Sequence, residues 1–120
     1  MSSDEDTLRA AYDAFNARDV SAALELMHPE VDWPNAWEGG RMVGCEAVAA
    51  YWTRQFESIQ STLVPERIDH RPDGSVLVTV HQTVRDSETD DLLSDTKVQH
   101  RYRLKEGLIA RMDVEDPSAA

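Results

Sequence analysis

His100 is the residue on which chemistry near neutral pH could turn. Along residues 96–104 it alternates with Val98, Tyr102 and Leu104, so these four share one face of a strand. Lys97, Gln99, Arg101 and Arg103 lie on the other face. If the first face lines a cavity, His100 is its titratable group, able to donate or accept a proton. If it is plain core, His100 is a histidine held by one hydrogen bond. Asn35 is the second candidate. Its amide could donate to a developing oxyanion, or it could satisfy its own loop backbone. It sits in an unusual segment, residues 31–44, where Trp33, Pro34, Asn35 and Trp37 crowd into five positions. Tryptophan in a connection covers something apolar while its N–H finds a partner, so this segment either seals a core or walls a ligand cavity. The wall would be completed by Tyr12, Met42, Trp52, Val98, Tyr102 and Met112, all of which could equally be core. Asp32 alternates with Trp33 and is expected to face solvent.

Other chemistries fail on spacing. Asp86, Glu88 and Asp90 fit the first, third and fifth positions of a calcium loop. The sixth position, which needs glycine, is Asp91, and the twelfth, which needs glutamate, is Lys97. His28, His70, His81 and His100 form no pair at metal-ligand spacing, and Cys45 is the only cysteine. The glycine pair Gly39-Gly40 is no phosphate loop, and there is no Gly-x-Ser-x-Gly elbow. No metal or cofactor is expected.

The elements that must position these residues change character midway. Leu8, Ala11, Tyr12 and Phe15 draw one stripe on a first helix, with Asp4, Glu5 and Asp6 suiting its N-terminus. Asp19 caps a short second helix carrying Val20, Ala23, Leu24 and Met27, which His28-Pro29 ends. A third helix from Gly44 and Cys45 carries Val48, Tyr51, Trp52, Phe56 and Ile59. After Pro65 the period becomes two. Val76, Val78, Val80, Gln82 and Val84 share a face, and Ala110, Met112 and Val114 share another. Turns fall at Pro72-Asp73-Gly74 and Lys105-Glu106-Gly107. The residues between Asp86 and Asp95 form a charged hairpin connection. Helices followed by an antiparallel meander indicate a single α+β domain over residues 1–120.

The 120 residues carry 23 acids against 12 basic residues, a formal net charge of −11. That excess opposes binding to nucleic acid or to an anionic membrane surface. The acidic start is unlike a secretory signal, and one cysteine suits a reducing, cytoplasmic setting.

The ordered pieces resemble a known family. They are Leu8-Arg-Ala-Ala-Tyr-Asp-Ala-Phe-Asn-Ala-Arg-Asp19, Ala23-Leu-Glu-Leu-Met-His-Pro-Glu-Val-Asp-Trp33, Gly44-x-Glu46-Ala-Val-Ala-Ala-Tyr-Trp52 and Tyr102-Arg-Leu-x-x-Gly-Leu-Ile-Ala-Arg111. Together they resemble the nuclear transport factor 2-like superfamily, in its SnoaL-like and ketosteroid isomerase-like branch. The resemblance implies a cone-shaped fold: three N-terminal helices packed on a strongly curved, mixed but mainly antiparallel sheet around an apolar pocket. It also implies a homodimer through the outer sheet face. On that face, Asp113 opposite Arg101 or Arg103 would make a cross-strand ion pair. Carried over residue by residue, the isomerase's aspartate base falls on Asn35, or with a one-residue gap on Trp33. Its helical tyrosine falls on Ala11, beside Tyr12, and its strand acid falls on His100. An asparagine cannot take a proton as a carboxylate does, so that mechanism is not matched.

Three functions follow as alternatives. One is a cofactor-free isomerase, cyclase or hydratase acting on a small apolar metabolite, with His100 as proton shuttle and Asn35 as electrophilic donor. The others are a non-catalytic ligand-binding module and a dimeric scaffold.

Overall fold

The computed structural model describes residues 3–35 and 39–115. Among these described residues, three helices and six strands follow in the order α1 (Ser3–Asn16), α2 (Val20–Leu24), β1 (Met27–Pro34), β2 (Arg41–Val43), α3 (Cys45–Ser58), β3 (Ile59–His70), β4 (Val76–Asp86), β5 (Leu92–Lys105) and β6 (Leu108–Glu115). The strands form one sheet in the order β2-β1-β6-β5-β4-β3. Only β1 and β6 pair in parallel; every other neighbour is antiparallel. The helices bury Leu8, Tyr12, Phe15, Val48, Tyr51 and Trp52 against Val76, Val78, Val80, Tyr102, Ile109 and Met112 of the sheet.

The α+β class and the mixed, mainly antiparallel sheet match the expectation; the placing of the helices does not. The third helix follows two strands and is not part of an N-terminal helical block. The second is a single short turn, capped as expected by the Asp19 carboxylate on the Ala22 amide at 3.1 Å. Met27 belongs to β1 and not to that helix. Pro29 bars its predecessor from helical torsions, and the Leu26 carbonyl is taken by the Ile109 amide of β6 at 2.9 Å. Ile59 likewise opens β3 and does not close α3.

Strand β3 runs straight through Pro65, which alternation alone had placed before the first strand. It can do so because β3 is an edge strand and its register slips between Pro65 and Arg67. Part of that edge is covered from α1. The Asn16 amide donates to the Leu63 carbonyl at 2.8 Å, while its oxygen accepts from the Leu63 amide at 2.9 Å. Another irregularity sits in β6, between the pairs Arg103–Arg111 and Leu104–Ile109. The extra residue there, Ala110, shifts the alternation, so Ile109 and Met112 are buried together, whereas simple alternation grouped Ala110 with Met112.

The outer face carries charge in knots. Asp32 is outside as expected, held by Arg41 and by Arg111, and both arginines also reach Asp113. Asp113 does stand opposite Arg101 in register, but its carboxylate turns to Arg111 and Arg41. Arg101 instead pairs with Glu115 and Asp73. No helix among the described residues is long and apolar enough to cross a membrane.

Candidate functional site

A cavity of about 110 Å³ lies between the helices and the inner sheet face. Tyr12 and Phe15 of α1 close one side, Tyr51, Trp52 and Gln55 of α3 another. The sheet supplies Met27, Trp33, Ser61, Leu63, Gln82, His100, Tyr102, Ile109 and Met112. Val114 also lines it while 51% exposed, so the cavity reaches solvent there. The aromatic wall is built by edge-to-face contacts. Trp33 meets Trp52 at 5.4 Å between centroids with the rings 87° apart, and Phe15 meets Trp52 at 5.4 Å.

His100 stands at the centre of a buried polar cluster. It lies on β5 between Val78 of β4 and Val114 of β6. The Tyr102 hydroxyl is 2.8 Å from the Tyr12 hydroxyl, which is 2.8 Å from His100 Nδ1; Tyr102 itself stands 3.4 Å from Nδ1. Burial lowers the His100 pKa to about 4, so the imidazole is neutral at neutral pH. Burial also raises the pKa of both phenols, with each tyrosine's nearness to the other adding to the rise at Tyr12. All three groups therefore hold their neutral forms. With Tyr102 donating to Tyr12, the Tyr12 proton is left for Nδ1, which assigns the imidazole proton to Nε2. No described residue bonds Nε2, and no fully buried side-chain nitrogen or oxygen among the described residues lacks a partner. Nε2–H must therefore keep contact with the open volume of the cavity.

The other expected residues separate. Tyr12, Trp33, Trp52, Tyr102 and Met112 line the cavity with His100. Met42 and Val98 pack, partly buried, against the core and are not among its lining residues. Trp37 lies outside the described residues. Asn35 is half-buried just beyond β1 and is not among the lining residues. Its amide donates to the Gly40 carbonyl at 3.0 Å and its carbonyl accepts from the Gly39 amide at 3.0 Å, closing the connection to β2.

The sequence matches the family described as the SnoaL-like domain over residues 8–112. The chain belongs to the SnoaL-like domain family. Solved structures agree on the fold. An NTF2-like protein of unknown function from Burkholderia pseudomallei superposes with a TM-score of 0.83 at 22% identity, over 99% of this chain and 94% of that one. TerC, co-crystallised with polyporic acid, gives 0.82 at 22% identity, over 98% and 93%. A Mycobacterium tuberculosis protein in complex with estradiol-17β-hemisuccinate gives 0.81 at 19% identity, over 95% and 93%. No curated protein matches this SnoaL-like domain in sequence.

Sequence reasoning missed Phe15, Tyr51, Gln55, Ser61, Leu63 and Gln82 as parts of the wall of this SnoaL-like domain. The signal for Gln82 was present: it is the single polar residue in the alternating run of valines from Val76 to Val84. Ser61 and Leu63 escaped because Pro65 concealed the strand that carries them. No group of acidic, histidine or cysteine side chains among the described residues is arranged to hold a metal.

Proposed function

We propose that this SnoaL-like domain holds a small, mostly apolar molecule bearing an acceptor oxygen, to which His100 donates from Nε2. The observation that carries this is the Tyr102–Tyr12–His100 chain, which fixes Nδ1 as an acceptor and leaves Nε2–H to the cavity. The low His100 pKa makes this group a neutral donor, suited to polarising a carbonyl and poorly suited to acting as an imidazolium acid. An isomerase, cyclase or hydratase would also need a base. The described lining residues include no carboxylate, so what the cavity offers is binding and polarisation. Small ligands in two structural relatives, polyporic acid and an estradiol ester, support the use of this fold for such molecules. The lone free Cys45 fits a cytoplasmic setting.

Trp33 and Trp52 provide the readout. Titration of tryptophan fluorescence should show the ketone acetylbiphenyl binding several-fold more tightly than its near-isosteric hydrocarbon ethylbiphenyl, as one buried neutral hydrogen bond gives. In His100→Phe that preference should vanish while ethylbiphenyl still binds. Equal affinity of the two probes for the wild-type protein would refute the donor role.

The same reading includes a homodimer through the outer sheet face, which is supported by arginines already held in position by acids (Arg101 by Glu115, Arg111 by Asp113). Analytical ultracentrifugation at micromolar concentration should give about twice the 13.5 kDa of one chain; a monomer there excludes it.

A further inference from the structure

The cavity has a second set of polar groups that the His100 cluster does not use. Gln55, Ser61 and Gln82 all line it. Ser61 and Leu63 lie on the inward face of β3, and Gln82 is the direct partner of Leu63 on β4, so Ser61 and Gln82 are diagonal neighbours on one face. Gln55 is in the last turn of α3, whose carbonyl there accepts the Ile59 amide where β3 begins. The three side chains thus converge where α3 passes into β3. None of their side-chain polar atoms bonds another described residue. The tyrosines and Nδ1 of the first cluster are all bonded to one another.

The separation from His100 is set by the sheet. Val78 is the β4 partner of His100, and Gln82 lies four residues further along the same strand, roughly 13 Å at the usual rise. The electrostatics behind this end are also distinct. The Arg18 guanidinium donates to the Ser61 carbonyl at 2.6 Å and covers the Phe56 ring at 4.6 Å and the Phe15 ring at 5.6 Å. No described carboxylate pairs with Arg18. A positive charge behind the wall favours an electron-rich oxygen over an ammonium group.

Resting on the proposed use of the cavity, we infer that Gln55, Ser61 and Gln82 form a second recognition subsite, and that the ligand is an elongated, two-ended molecule. One end is an acceptor oxygen at His100. The other is an uncharged hydroxyl, which an amide can meet as both donor and acceptor, with an apolar body between them against Trp33, Trp52 and Met112. A charged end would find no charged side chain among the described lining residues.

The probes are acetylbiphenyl and hydroxyacetylbiphenyl, whose hydroxyl sits at the far end of the second ring, followed by tryptophan fluorescence. In the wild-type protein the added hydroxyl should tighten binding about three- to tenfold, the worth of one hydrogen bond. Gln82→Leu should remove that gain, and Gln55→Leu should reduce it. The readout is the ratio of the two probes' affinities within each variant. Both positions are half-buried with no partner to lose, so the variants should stay folded. If the hydroxyl gives no gain, or if Gln82→Leu weakens both probes equally, the subsite is refuted while the cavity reading stands. If neither probe binds the wild-type protein, both readings fall.

Discussion

Acidification from about pH 6.5 to about pH 4 should destabilise the protein by up to roughly 3 kcal/mol through His100 alone. The sign follows from which state holds the proton. Folded His100 has its pKa lowered to about 4 by burial, against an ordinary histidine value of 6.5. Between those values the unfolded chain binds a proton that the folded chain refuses. The stabilisation is therefore complete above the unfolded value and is lost as pH falls through the window. The groups facing His100 do not offset this. Tyr12 and Tyr102 stay neutral, and no described carboxylate lines the cavity. Carboxylates contribute in a lower window. Asp73, bonded by Ser75, has its pKa lowered to about 2, and Asp113 is lowered by Arg111, so their stabilisation disappears only below the usual carboxylate value. Urea unfolding at a series of pH values separates the two windows. The wild-type protein should lose stability with a slope of nearly one proton between pH 6 and 4.5, and His100→Gln should be nearly flat there. A variant slope equal to that of the wild-type protein would assign the effect to other groups.

That window opens because a strand places a histidine among valines, and this much was legible in the sequence. The alternation of Val98, His100, Tyr102 and Leu104 put His100 and Tyr102 on one face without any structure, and helical spacing put Tyr12 on the buried stripe of α1. Their meeting was not legible. It requires the register that sets His100 beside Val78 and Val114, and the packing of α1 over that point, both of which are long-range. The proton's position on the imidazole follows only from that meeting. Where the sequence misled, the cause was local chemistry overridden by pairing. Pro65 reads as a boundary, yet an edge strand tolerates it, and the β6 irregularity swaps Ala110 for Ile109 at the wall. Asn35, singled out because the resemblance puts the isomerase's base there, has its backbone committed to the turn with Gly39 and Gly40.

The cluster's internal order gives the other large effect. Tyr12→Phe should destabilise the protein by on the order of 3 kcal/mol, and Tyr102→Phe by about 1 kcal/mol. The two changes remove the same atom but leave different debris. The Tyr12 oxygen accepts from Tyr102 and donates to His100, so its loss removes both 2.8 Å bonds and leaves the buried hydroxyl and ring nitrogen only their long 3.4 Å contact. Loss of the Tyr102 oxygen removes only the outer donor, and the Tyr12–Nδ1 bond survives. The difference extends to the proposed function. With Tyr12 gone, nothing fixes Nδ1 as an acceptor except Tyr102 at 3.4 Å, and the imidazole is free to carry its proton on either nitrogen. Nitrogen-resolved NMR of the imidazole should therefore show Nε2–H in the wild-type protein and in Tyr102→Phe, and a mixture in Tyr12→Phe. The preference for acetylbiphenyl over ethylbiphenyl should fall in step with the Nε2–H fraction. An Nδ1–H signal in the wild-type protein would instead make His100 an acceptor toward the cavity, and equal destabilisation by the two substitutions would refute the order Tyr102 to Tyr12 to Nδ1.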